Sequence, residues 1–164
     1  MNLRNISGAR LTSLCLFQFL IALSAQAHDV VESVTLLRPS VVGVGTYLKT
    51  RAPANQLRGT GFVVGDGHLV ATNAHVLPDS IDEDRFEQIV VYVGEGANPE
   101  VFPATVVAKD RHHDLALLRV TAKISDPVTL GDSNKTAPGT SIIFTGFPIG
   151  AVLGLYPATH HGDS

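Results

Sequence analysis

Among the seven histidines of this chain, His75 is singled out by what surrounds it. It stands next to last in the stretch Gly59–Val76, GTGFVVGDGHLVATNAHV, where the apolar run Leu69-Val70-Ala71 continues into Thr72-Asn73-Ala74. A titratable ring at the end of a rigid strand is well placed to act as a general base. Such a base needs a carboxylate that fixes its tautomer and steadies the imidazolium formed when it takes a proton. Asp114 fits that need, 39 residues further on, at the mouth of the apolar run Leu115–Val120 (LALLRV). Asp79 is a competing partner four residues after His75, although Pro78 keeps any helical turn there short. Asp110 precedes the strand and reads as a turn residue.

Two further histidine pairs, His112-His113 and His160-His161, raise the question of a metal. Adjacent residues on extended chain point to opposite sides. Neither a His-Glu-x-x-His pattern nor a set of cysteines accompanies them. Both pairs read as exposed loop histidines, and no metal and no cofactor is expected. The glycines of Gly59–Gly67 lack the Gly-Lys-Ser/Thr ending of a phosphate loop and read as strand and turn residues.

The elements that would position His75 and Asp114 are short strands. Phe62-Val63-Val64 and Leu69-Val70-Ala71 are joined by Gly65-Asp66-Gly67, residues that tolerate the positive φ of tight hairpin turns. Ser40–Tyr47, Gln88–Val93, Val101–Lys109 and Leu115–Val120 supply four more strands, and Pro103 marks an edge or a bulge. Residues Val30–Leu37 suit a short helix ended by Pro39, Leu48–Leu57 reads as a loop, and Asn73–Leu77 as one helical turn. Six strands without a long helix predict an all-β, antiparallel, six-stranded barrel over residues 28–124. Residues 125–139, rich in Asp, Ser, Asn, Pro and Gly, read as a connection. Residues 140–164 begin a second strand series with Ser141–Phe147 and Ala151–Leu155.

The start of the chain has a different character. Arg4 and Arg10, the apolar run Leu11–Leu23 and Ala25-Gln26-Ala27 have the layout of a secretory signal peptide over residues 1–27. The run is shorter than the roughly 20 apolar residues needed to span a bilayer. Export to the bacterial periplasm or beyond is expected, with no membrane attachment after cleavage. The one cysteine, Cys15, lies in that leader, so the mature chain would rely on its core rather than on disulfides. A formal net charge of −3 offers no electrostatic footprint for nucleic acid. Asp82, Glu83, Asp84 and Glu87 cluster in what reads as a solvated turn.

Taken together, Gly59-Thr60-Gly61-Phe62, Thr72-Asn73-Ala74-His75-Val76 and Asp114-Leu115-Ala116-Leu117-Leu118 resemble the trypsin-like serine proteases of the Deg/HtrA type. Leu130-Gly131-Asp132-Ser133 and Gly146-Phe147-Pro148-Ile149-Gly150 follow in the order that family shows. The resemblance covers about Ser40–Tyr156. It implies two six-stranded barrels with the active site in the cleft between them, His75 as general base and Asp114 as its orienting acid. It also implies serine endopeptidase activity by an acyl-enzyme route on a polypeptide substrate.

The family's nucleophile is a serine in a Gly-x-Ser-Gly-Gly turn whose backbone N–H groups form the oxyanion hole. No such turn occurs here. Ser133 follows Gly131-Asp132 but precedes Asn134-Lys135 and lies only 19 residues after Asp114, and Ser164 ends the chain. Both are read as decoys. The expectation is a peptidase domain truncated after its first barrel, with the second only begun, and inactive as this chain alone. The alternative is a degenerate, inert half that acts, if at all, as a protein-binding module.

Overall fold

The computed structural model describes residues 31–147 and 156–163. The expected leader 1–27, the expected strand Ala151–Leu155 and Ser164 lie outside them. The chain divides into two compact units, residues 1–36 and 37–164. In the first, residues 31–36 are helical, and the Thr35 hydroxyl donates to the Val31 carbonyl at 2.7 Å.

The second unit contains strands β1 (Val41–Tyr47), β2 (Asn55–Val64), β3 (Leu69–Thr72), β4 (Gln88–Val93), β5 (Glu100–Asp110) and β6 (Leu115–Val120). They close into a barrel in the order β1-β2-β3-β6-β5-β4, with every neighbouring pair antiparallel. Closure satisfies both sides of each strand and removes exposed edges. Side chains alternate across each strand, so Val42, Val44, Val63, Val70, Val91, Leu118 and Val120 meet inside, each at most 2% exposed. Branched side chains of this size fill the interior of a small barrel. The outward face of β1 and β4 is covered too. Val90, Tyr92 and Phe147 are buried together there, with Val41, Tyr47 and Leu57 packed against them.

Three places in the barrel test the sequence reading, and the first and third depart from it. Strand β2 begins at Asn55, inside the expected loop, because Asn55, Gln56 and Leu57 pair with Tyr47, Thr46 and Gly45 of β1. The ladder outweighs the polar character of those residues. The loop before it is closed by Arg51, whose Nη2 donates to the carbonyls of Thr46 and Ala54, each at 3.1 Å. Secondly, Pro103 sits where β5 pairs with β4 alone, since the β6 ladder begins at Ala104. A missing N–H therefore costs nothing on that side, and the bulge falls later, between Val106 and Ala108. Thirdly, Glu87 is not part of a solvated acidic turn. It accepts from Arg51 at 2.8 Å and from the Asp82 N–H at 3.1 Å, and the Asp82 N–H foremost holds its carboxyl below the usual range.

Residues 121–140 carry no strand. They run back along the β2–β3 hairpin, with the N–H groups of Ile124 and Val128 donating to Gly67 and Val63 at 3.0 and 2.9 Å. A two-stranded antiparallel sheet follows, β7 (Ser141–Gly146) and β8 (Ala158–Asp163). Strand β8 corrects the loop reading of His160-His161, which pair with Phe144 and Ile143. Among the described residues these two strands are the part of a second barrel that is seen.

Candidate active site

The hairpin turn between β2 and β3 has the backbone its residues suggest. Gly65 and Gly67 adopt φ of 66° and 89°, the left-handed region open to glycine, and the Asp66 carboxylate accepts the His68 N–H at 3.0 Å. The hairpin aims β3 at the rim of the barrel, where it pairs with β6, Thr72 opposite Ala116. Extending that antiparallel register by two residues places Ala74 opposite Asp114. The Ala74 N–H donates to the Asp114 carbonyl at 3.2 Å. The 39-residue separation in sequence is thus spanned by adjacent strands.

After β3, Asn73 stays extended and Ala74–Val76 form a single 3-10 turn. The turn is anchored by burial of Ala74, Val76 and Leu77 and by Arg58, whose Nε donates to the Val76 carbonyl at 2.8 Å. His75 alone points out of this anchored turn, with 72% of its side chain exposed.

Asp114 adopts φ 54°, a left-handed conformation that aspartate and asparagine enter more readily than other side chains. Its carboxylate accepts the His75 backbone N–H at 2.9 Å and meets His75 Nδ1 at 2.6 Å. The first of these contacts, then the ring itself, hold the Asp114 carboxyl below the ordinary aspartate range. The side chain is 43% exposed, so hydrogen bonds rather than burial keep it in place. A carboxylate on Nδ1 selects the tautomer in which Nδ1 carries the proton and Nε2 the lone pair.

The competing acids are engaged elsewhere. Asp79 pairs with Arg111 at 2.8 Å. Asp110 meets His113 Nδ1 at 2.7 Å and accepts the N–H groups of His112 and His113. Its carboxyl is held low, chiefly by the His113 ring. The His112 and His113 rings stack edge to face at 4.7 Å. Among the described residues no three His, Cys, Asp or Glu side chains are grouped to hold a metal. Ser133 opens an exposed 3-10 turn capped by the Asp132 carboxylate, and no described hydroxyl bonds to His75 Nε2. Sequence reasoning passed over two residues that shape the site, Arg58 and Asn73. The one signal for Asn73 was its place beside the base.

The fold is a closed antiparallel barrel with a histidine–aspartate pair on its rim. The family model for the trypsin-like peptidase domain matches residues 59–162, and the chain belongs to that family, in its Deg/HtrA branch. It is 29% identical over 126 residues to serine protease HTRA3 of Mus musculus, which covers 73% of this chain and 26% of that protein. It is 30% identical over 131 residues to the serine protease HtrA-like protein of Staphylococcus epidermidis, covering 76% and 20%. A probable periplasmic serine endoprotease, DegP-like, of Pseudomonas putida is 33% identical over 95 residues, covering 58% and 18%. The chain therefore spans about a quarter or less of the length of these relatives. The crystal structure of Deg5 shares the fold, with a TM-score of 0.64 and 24% identity over 84% of this chain and 63% of that one.

Proposed function

We propose that this chain supplies the base-and-acid half of a serine endopeptidase acting on polypeptides. His75 takes the proton of a serine hydroxyl through Nε2, and Asp114 holds the ring in the Nδ1–H tautomer and stabilises the imidazolium. The serine then forms an acyl-enzyme with the substrate carbonyl, and the same imidazolium protonates the departing amine. The 2.6 Å contact between His75 Nδ1 and Asp114 carries this reading. Export follows from the leader segment, and one of the relatives is named as periplasmic. Residues 28–124 would be the first barrel of the peptidase domain, 125–139 the connection and 140–164 the start of the second.

By itself the chain is expected to be inactive, because no described serine is brought to His75 and Ser133, followed by Asn134-Lys135, does not sit in a Gly-x-Ser-Gly-Gly turn. Fusing it to the second barrel of a Deg-type protease that carries such a turn tests the reading. Cleavage of unfolded casein by the fusion, lost in H75A, is the expected result. A folded fusion that neither cleaves casein nor reacts with a fluorophosphonate probe would overturn it.

A second reading, an inert protein-binding half, is favoured by Phe144 of β7 and by Tyr156 just before β8, which are 56% and 61% exposed. Rings exposed in this way offer apolar surface to a partner. Covalent labelling of this chain alone by the fluorophosphonate probe would exclude both its inertness and this second reading.

A further inference from the structure

Asn73 is the residue immediately before the turn that carries His75, and it is exposed, so packing does not account for its side chain. Its amide nitrogen makes two contacts with one residue. Nδ2 lies 3.1 Å from the Asp114 carbonyl oxygen and 3.2 Å from Asp114 Oδ2. An amide NH2 has two protons to give, and here both go to the same aspartate, one to its main chain and one to its side chain. Oδ2 is also the atom that meets His75 Nδ1 at 2.6 Å. Two donors therefore converge on a single carboxylate oxygen, from Asn73 and from the ring, while Oδ1 is occupied by the His75 N–H.

This geometry matters because Asp114 is held by hydrogen bonds, from the Ala74 N–H to its carbonyl and from His75 to its carboxylate, with little help from burial. Its φ of 54° is a backbone state that the surrounding structure must maintain, and the side chain is too exposed for burial to lock χ1. A bridge from Asn73 to both the carbonyl and the carboxylate of Asp114 ties the backbone conformation to the side-chain rotamer. We propose that Asn73 is a positioning residue for the dyad: through its Nδ2 it clamps Asp114 so that Oδ2 stays directed at His75 Nδ1. The inference rests on the reading of His75 and Asp114 as base and orienting acid, and its test separates the two.

The readout is the ratio of Nδ1–H to Nε2–H tautomers of the neutral His75 ring, followed by 15N NMR on the full chain in mildly alkaline buffer. D114N replaces one carboxylate oxygen with an NH2 donor, which favours the Nε2–H tautomer, and reports on the dyad. N73A removes the clamp, and N73D keeps the shape of Asn73 while replacing its donor with a carboxylate oxygen. N73A is expected to lower the Nδ1–H:Nε2–H ratio by about two- to tenfold, the worth of one hydrogen bond. N73D should lower it further, since a second carboxylate beside Oδ2 repels it. If D114N leaves the ratio unchanged, the dyad reading fails and the clamp with it. If D114N shifts the ratio and both Asn73 variants do not, the dyad stands and the clamp is overturned. A ratio that N73D preserves while N73A lowers it would show that shape rather than donation is what counts, and would also overturn the proposal. Folding of each variant is read from the Leu118 and Val63 amide signals of the barrel interior.

Discussion

Gly59 of β2 lies directly against Val76, the last residue of the turn that carries His75: a Cβ built on Gly59 would fall 2.6 Å from a Val76 methyl carbon. The absence of a side chain at this one point lets the turn settle on the barrel wall. Arg58, the preceding residue, then bonds the same Val76 through its carbonyl. Position 59 thus sets how closely the base approaches the barrel, without touching the base. G59A is expected to push the turn outward and to cost about 1–3 kcal/mol, the usual price of overpacking a filled site. Urea denaturation measures the loss, and a shifted His75 ring signal would locate it.

Asp114 makes stability depend on pH at the acid end. Its folded carboxyl is held below the ordinary aspartate value of 3.8, so the folded state binds its proton less readily than the unfolded chain does. The stabilisation is fully present above that value and is lost as pH falls through the lower, folded one. D114N is expected to flatten this part of the acid limb in thermal melts between neutral pH and pH ~2. A variant melting profile as steep as the parent's at its acid end would contradict the assignment. In the active fusion D114N should also lower kcat by a factor on the order of 10⁴, through the wrong tautomer.

Thr60 ties the second strand series to the barrel. Its hydroxyl oxygen accepts the Phe147 N–H at 2.9 Å, while its carbonyl accepts the Thr72 hydroxyl at 2.8 Å. Phe147 is buried, so T60V, which keeps the shape and removes the acceptor, strands an amide away from water. A local cost of about 1–3 kcal/mol is expected. Hydrogen exchange is the direct check: the Phe147 amide should exchange faster while Val70 and Leu118 keep their protection.

Arg51 and Glu87 lie at the end of the barrel where β1 stops and β2 and β4 begin, the same end that carries His75 and Asp114. Besides its bond to Glu87, Arg51 reaches the Thr46 hydroxyl at 3.0 Å, and Tyr92 donates its own hydroxyl to the Thr46 carbonyl at 3.0 Å. Arg51 and Glu87 side chains are 26% and 14% exposed. E87Q leaves a half-buried guanidinium without its counter-charge, and about 1–3 kcal/mol of stability should be lost, in the range of hydrogen bonds to charged groups. R51A should cost at least as much, because it also removes one donor each from the Ala54 and Thr46 carbonyls. Equal midpoints for E87Q and the parent in urea would refute the account.

Much of this protein was legible before folding, because the physics involved is local. Alternating branched residues marked β1, β4 and β6, and glycine and aspartate between two apolar runs marked the β2–β3 turn. The identity of His75 and Asp114 as candidates followed from where strands end. Other features were decided only by tertiary contacts. β2 reaches back to Asn55 because β1 offers it a partner, and β8 forms because β7 does, so neither could be read from its own polar residues. Asp79 and Asp110 meet Arg111 and His113 instead, partners set by how the turns fold over one another. The positive φ of Asp114 and the bridge from Asn73 have no signature in residue order. They arise because the β3–β6 register brings two strand ends, 39 residues apart, to the same point on the rim. Residue types along the chain determined which groups could do chemistry. The closed ladder decided which of them meet, since only long-range pairing fixes distances between segments remote in sequence.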